Sequence, residues 1–130
     1  MGNVQFIYYY HMILSLVVYK NREESIRFSL PGEFIENIEK DLNKITERIP
    51  DILYSNYDFL KDNWNYSNAF EFLVGMIVGN CQLGYIQAFD QTYEKMPSRK
   101  QTEEIHNIIS RRKIQFEQGV IAFLEENNIK

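Results

Sequence analysis

The spacing of apolar residues changes at Pro31, and this change predicts a short strand followed by a helix. From Ser25 to Leu30 apolar and polar residues alternate, which is the period of a strand with one side in solvent. After Pro31 the apolar residues recur every three or four positions as far as Ile49, as on one side of an α-helix. Pro50 ends this helix because the residue before a proline disfavours helical geometry.

The run Ile13–Tyr19 is rich in β-branched and aromatic residues, which favours a second strand. Paired with Ser25–Leu30, it predicts a small β-element over residues 13–30. A helix through Phe6–Tyr19 is the alternative, because a short apolar run does not separate strand from helix by periodicity. With that alternative the whole chain becomes an all-α bundle.

Three further helices are predicted after Pro50. The first covers Asp51–Lys61 and counts Phe59 among its apolar residues. The second is capped by Ser67, and its first half is apolar on nearly every side, which predicts a central position. The third begins after a cap at Ser98 and continues into the polar C-terminal tail. The short link between the last two helices predicts that they lie antiparallel.

The fold class that follows is mainly α, with about four helices, a long antiparallel C-terminal helical hairpin and a small N-terminal β-element. A chain of 130 residues can bury a sufficient core as one domain over residues 1–130. Within that domain, residues 13–30 are the β-element, 32–61 two helices and 67–126 the hairpin.

Composition narrows the environment and the partners. Cys81 is the single cysteine, which excludes an intrachain disulfide and favours a reducing compartment, so we predict a cytoplasmic protein. The apolar run Val4–Tyr19 falls short of the ~20 residues that span a bilayer, so no membrane partner is predicted. The net charge of −4 argues against a surface that attracts nucleic acid everywhere, although it permits a local site.

The segment IRFSLPGEFIENIEKDL resembles the opening of ribbon-helix-helix DNA-binding domains, in which two chains pair their strands into a ribbon. The resemblance implies a non-enzymatic, dimeric transcription regulator whose ribbon enters the DNA major groove. It places Ser25, Arg27 and Ser29 on the DNA-facing side of the strand. It also implies a phosphate contact at the start of the later helix, at Ser67 and Asn68. An arginine of this kind donates two hydrogen bonds to guanine.

Gly75 and Gly79 are four residues apart on the long helix, and Leu83 follows one turn later. Small residues at this spacing let another backbone approach closely. One interpretation is a close helix crossing within the monomer, and the other is a homodimer interface that includes Leu83. The second interpretation supports a different hypothesis, a helical protein-interaction or assembly subunit that does not bind nucleic acid.

Glu103 and His106 are three residues apart and therefore share one side of the last helix, as paired ligands do in di-iron bundles. They are weak metal candidates and motivate a third hypothesis, a di-metal helical-bundle enzyme. Ile105, Ile108 and Ile109 define the core side of the same helix and leave the two candidates beside it. Under the leading hypothesis we predict no cofactor and no catalytic residue.

Overall fold

The computed structural model describes residues 29–129, which form five α-helices. These are α1 (Gly32–Glu47), α2 (Ile49–Asn63), α3 (Ala69–Tyr93), α4 (Arg99–Ser110) and α5 (Lys113–Glu126). The predicted mainly helical class is confirmed for this part of the chain, and the all-α alternative fits it.

The predicted β-element over residues 13–30 lies outside the described residues except for Ser29 and Leu30. Neither of these two is in a strand. The Ser29 carbonyl accepts a hydrogen bond from Gln101 Nε2 at 3.2 Å, and the Leu30 amide donates to Glu104 Oε2 at 3.2 Å. Because side chains of α4 take up these backbone groups, the prediction of a strand is wrong at its last two residues.

Helices α1 and α2 meet at a sharp break. Helix α1 ends at Glu47 and not at the predicted Ile49, because Arg48 leaves helical geometry with φ −120° and ψ 16°. Ile49 instead opens α2, with Pro50 in its first turn, where the missing N–H of proline costs nothing. Phe59, which was counted among the apolar residues of this helix, is 66% exposed.

Helix α3 begins one residue later than the cap at Ser67 predicts. The cap is Asn68, whose Oδ1 accepts a hydrogen bond from the Glu71 amide at 2.9 Å. The helix ends at Tyr93, and the following Glu94 adopts a left-handed conformation with φ 58°.

Helix α4 has the predicted cap. The Ser98 Oγ accepts a hydrogen bond from the Gln101 amide at 3.1 Å, and Gln101 Oε1 accepts one from the Ser98 amide at 2.8 Å. His106 Nδ1 lies 2.8 Å from Gln82 Oε1 on α3. The link between α3 and α4 lies between Gln82 and His106 in the sequence. Their contact therefore shows that α4 runs back along α3, as predicted for the hairpin.

The second arm of the hairpin is broken, so there are five helices in the described part and not about four. Arg111 and Arg112 separate α4 from α5. The Arg112 guanidinium turns toward α1, where it lies 3.4 Å from the Glu39 carbonyl oxygen and 3.5 Å from Glu39 Oε1. The break redirects α5, which packs against α1, α2 and α3.

The buried apolar side chains of the described residues form one cluster to which all five helices contribute. Its largest fully buried members include Phe34 of α1, Phe89 of α3 and Phe116 of α5. Helix α5 approaches the start of α2 so closely that a Cβ at Gly119 would lie 2.7 Å from Ile49 Cδ1. A glycine is required at this position because any larger residue overlaps the isoleucine.

Candidate interaction surface on the third helix

Helix α3 has a buried side and an outward side. The buried side repeats every four residues through Leu73, Ile77, Cys81 and Tyr85, each at most 2% exposed. With ~100° between successive residues, the opposite side is centred on Gly79. We call it the outer face of α3, and its apolar and small residues are Phe72, Gly75, Met76, Gly79, Leu83 and Ile86.

The two glycines of the outer face adjoin open space. A Cβ added at Gly75 or at Gly79 would meet no atom within 4 Å. A close helix crossing at these glycines, one of the two interpretations of the spacing, is therefore not present among residues 29–129. Leu83, one turn beyond Gly79, is 62% exposed and protrudes beside the shallow depression that the glycines leave.

By length and composition, α3 is apolar enough to cross a bilayer, and in the described part of the chain it is the one helix that meets this criterion. A central helix of a soluble bundle meets the same criterion. Only 33% of its most apolar stretch is buried within the bundle. Apolar surface of α3 thus extends beyond what the neighbouring helices cover.

A buried polar contact holds the inward side of α3 against α1. The Tyr85 hydroxyl donates to Asp41 Oδ2 at 2.7 Å, and Asp41 is 4% exposed. Burial raises the pKa of Asp41 from 3.8 to about 6, although the Tyr85 hydrogen bond and the charge of Lys44 act in the opposite direction.

Cys81 lies one turn from Tyr85 and is fully buried. Burial raises the pKa of its thiol, and the nearby Asp41 carboxylate raises it further. A thiol with a raised pKa stays protonated and is a poor nucleophile. Cys81 therefore acts as a small apolar core residue.

The predicted DNA-binding residues of the strand fall largely outside the described structure. Ser25 and Arg27 precede residue 29. Ser29 is exposed, and its carbonyl is bound by Gln101 in the first turn of α4. Phe34 lies in the first turn of α1, five residues after Ser29, and its ring lies 5.4 Å from the Phe89 ring. The chain that follows Ser29 therefore packs near the C-terminal end of α3.

The other two predicted DNA-binding residues, Ser67 and Asn68, lie at the N-terminal end of α3. Both are exposed. At ~1.5 Å per residue, the helix from Asn68 to Phe89 is roughly 30 Å long. The structure therefore does not bring Ser29 together with Ser67 and Asn68 within one chain.

The weak metal candidates also have separate partners. Glu103 Oε1 lies 3.5 Å from Arg99 Nε in an exposed ion pair one turn apart. His106 shares a hydrogen bond with Gln82, so its Nδ1 is engaged on α3. Within residues 29–129, no three His, Cys, Asp or Glu side chains come together in an arrangement that holds a metal ion.

An open cleft of about 340 Å³ lies between the end of α1, the start of α2 and α5. Its lining residues are Thr46, Glu47, Pro50, Gln115, Gln118 and Gly119. Glu47 is the one ionisable side chain among them, so this cleft offers no pairing of a nucleophile with a general base.

Sequence reasoning identified Gly75, Gly79 and Leu83 but missed Phe72, Met76 and Ile86 of the same face. A helical projection around Gly79 would have found them, since all lie within about 60° of it. What the sequence did not reveal is which side of an almost uniformly apolar helix faces out. Comparisons with protein-family models, with curated proteins and with solved structures gave no match.

Proposed function

We propose that this protein is a helical protein-interaction or assembly subunit that docks a protein partner on the outer face of α3. The observation that carries the proposal is the pair of glycines in open space beside an exposed leucine. Glycines at this spacing let another backbone approach the helix closely, and no residue among 29–129 makes that approach.

The cost of the glycines supports the proposal. A glycine inside a helix destabilises it by about 1 kcal/mol relative to alanine. At Gly119 the cost is offset because only a glycine fits against Ile49. At Gly75 and Gly79 an alanine side chain would fit with space to spare. Contact with a partner, whose backbone could approach the bare helix, would offset the cost there.

The composition of the face also supports the proposal. Over about four turns the residues within about 60° of Gly79 are apolar or small except Gln82, which shares a hydrogen bond with His106 of α4. The face is bordered by the polar and exposed Glu71, Gln87 and Gln91. An apolar centre with a polar rim is the usual anatomy of a protein–protein interface. Burying an exposed leucine stabilises a complex by roughly 1.5–3 kcal/mol.

Site-specific photo-crosslinking in cells tests the proposal. A benzophenone amino acid replaces Leu83 in the full-length chain, and a matched variant carries it at Asn43. Asn43 is exposed on the polar side of α1 and so reports non-specific encounters. After irradiation, we expect a discrete higher-mass adduct from position 83 and none from position 43.

The absence of an adduct at position 83, or equal adducts at both positions, would overturn the proposal. Circular dichroism of both purified variants establishes that each retains the helical fold. The DNA-binding hypothesis from Ser25–Ile49 stays a prediction.

A further inference from the structure

We infer that the protein docked on the outer face of α3 is a second copy of this chain, antiparallel to the first across a two-fold axis at Gly79. This inference rests on the proposed function and names its partner. The sequence of the face is complementary to its own reverse.

The shapes match in this register. With Gly79 opposite Gly79, residues whose numbers lie equally far on either side of 79 face each other. Leu83, the protruding residue, then meets the depression at Gly75 of the second copy. Phe72 meets Ile86, an apolar pair at each end of the contact. Each contact occurs twice, as a closed two-fold interface requires.

The charges match as well. The same register brings Asp90 into the contact, because Asp90 lies within about 20° of Gly79 around the helix. It places Asp90 opposite Asn68, the cap of α3, where the positive end of the helix dipole stabilises a carboxylate. A parallel arrangement would instead oppose Asp90 to Asp90, and like charges at a contact are unfavourable.

Cysteine crosslinking of the purified full-length chain tests the register. Three variants are made, Gly75→Cys, Gly79→Cys and Leu83→Cys, with Asn43→Cys as the exposed control. The wild type controls for the native Cys81, which is buried. A disulfide forms only when two Cβ atoms lie about 3.5–4.5 Å apart, so the readout is specific to residues that face each other.

Under mild oxidation we expect the Gly79→Cys variant to form a disulfide-linked dimer with itself, without any second variant in the sample. We expect an equimolar mixture of Gly75→Cys and Leu83→Cys to form at least fivefold more linked dimer than either variant alone. Asn43→Cys and the wild type should remain unlinked. Linkage of Leu83→Cys with itself at the level of the mixture would overturn the antiparallel register.

Light scattering of the uncrosslinked chain provides a second measurement. We expect a dimer, with a dissociation constant raised at least tenfold by Gly79→Leu and unchanged by Asn43→Leu. A wild-type monomer at all accessible concentrations would overturn the inference. A monomer in which the Leu83→Cys thiol resists maleimide would also overturn it and would indicate that another segment of the same chain covers the face.

The two proposals can fail separately. A monomeric protein that still forms a position-83 adduct in cells leaves the proposed function in place with a different partner. A protein with neither a dimer nor an adduct refutes both.

Discussion

Replacing Gly119 by alanine should destabilise the fold, although alanine is the better helix former. The new Cβ would lie 2.7 Å from Ile49 Cδ1, 2.8 Å from Ile49 Cβ and 3.0 Å from Ile49 Cγ2. The Ile49 Cβ is attached directly to the backbone, so rotation of the side chain cannot move it away. Either α5 or the start of α2 must shift.

The magnitude follows from two opposed terms. Overpacking a well-packed core costs about 1–3 kcal/mol. Alanine returns about 1 kcal/mol of helix propensity. Gly75→Ala is the matched control, because it gains the same propensity and its Cβ meets nothing within 4 Å. The difference in unfolding free energy between the two variants therefore isolates the overpacking term, at about 2 kcal/mol.

Urea unfolding followed by circular dichroism measures this difference. Two protein concentrations tenfold apart separate any effect on association from the effect on folding. In an Ile49→Ala background, which removes two of the three crowded atoms, Gly119→Ala should cost less. If Gly119→Ala stabilised the chain as much as Gly75→Ala does, the proposed contact between α5 and Ile49 would be refuted.

Four further results are expected. The folded state raises the pKa of Asp41 from 3.8 to about 6. Between these two values the folded protein keeps a proton that the unfolded protein has lost. The contribution of Asp41 to the free energy of unfolding should therefore fall by roughly 3 kcal/mol as the pH rises from about 4 to about 6. Asp41→Asn should remove that fall in urea titrations across this range, and identical slopes in the two proteins would contradict the assignment. Tyr85→Phe should cost about 1–3 kcal/mol at pH 7, since it leaves the buried Asp41 oxygen without its donor, and a change in melting temperature of less than one degree would refute this. Arg112→Met should cost about 1 kcal/mol by removing the contact with Glu39, whereas an equal loss for exposed Arg111→Met would show that the contact is unimportant. If the chain reads DNA, wild-type protein should be retained on a mixed-sequence DNA column at low salt and Arg27→Ala should elute earlier; equal elution of the two would end that hypothesis.

Local signals predicted well. The period of α1 and the cap at Ser98 depend on residues within four positions of each other, and both are present in the structure. The break at Arg111 and Arg112 was not predictable in this way. At the break Arg112 contacts Glu39, which is 73 positions away in the sequence, and the helix that follows fits closely against Ile49 of α2.

The candidate surface was predictable only in part. The glycine spacing marks a helix that another backbone can approach, but it does not say whether that backbone belongs to the same chain. Only the positions of the neighbouring helices showed that Gly75 and Gly79 adjoin open space and that Leu83 protrudes. Asp41 lies on the apolar side of α1, yet its partner Tyr85 follows 44 positions later.

The buried hydrogen bond between Asp41 and Tyr85 has a consequence for the orientation of α3. A helix that is apolar on nearly every side gains similar burial at several angles of rotation about its own axis, so hydrophobic packing alone selects among them weakly. The Tyr85 hydroxyl has its buried acceptor at one angle only, and losing that bond inside the core is costly. Together with the hydrogen bond between Gln82 and His106 of α4, this buried polar contact therefore helps to select which residues α3 presents on its opposite side to solvent or to a partner.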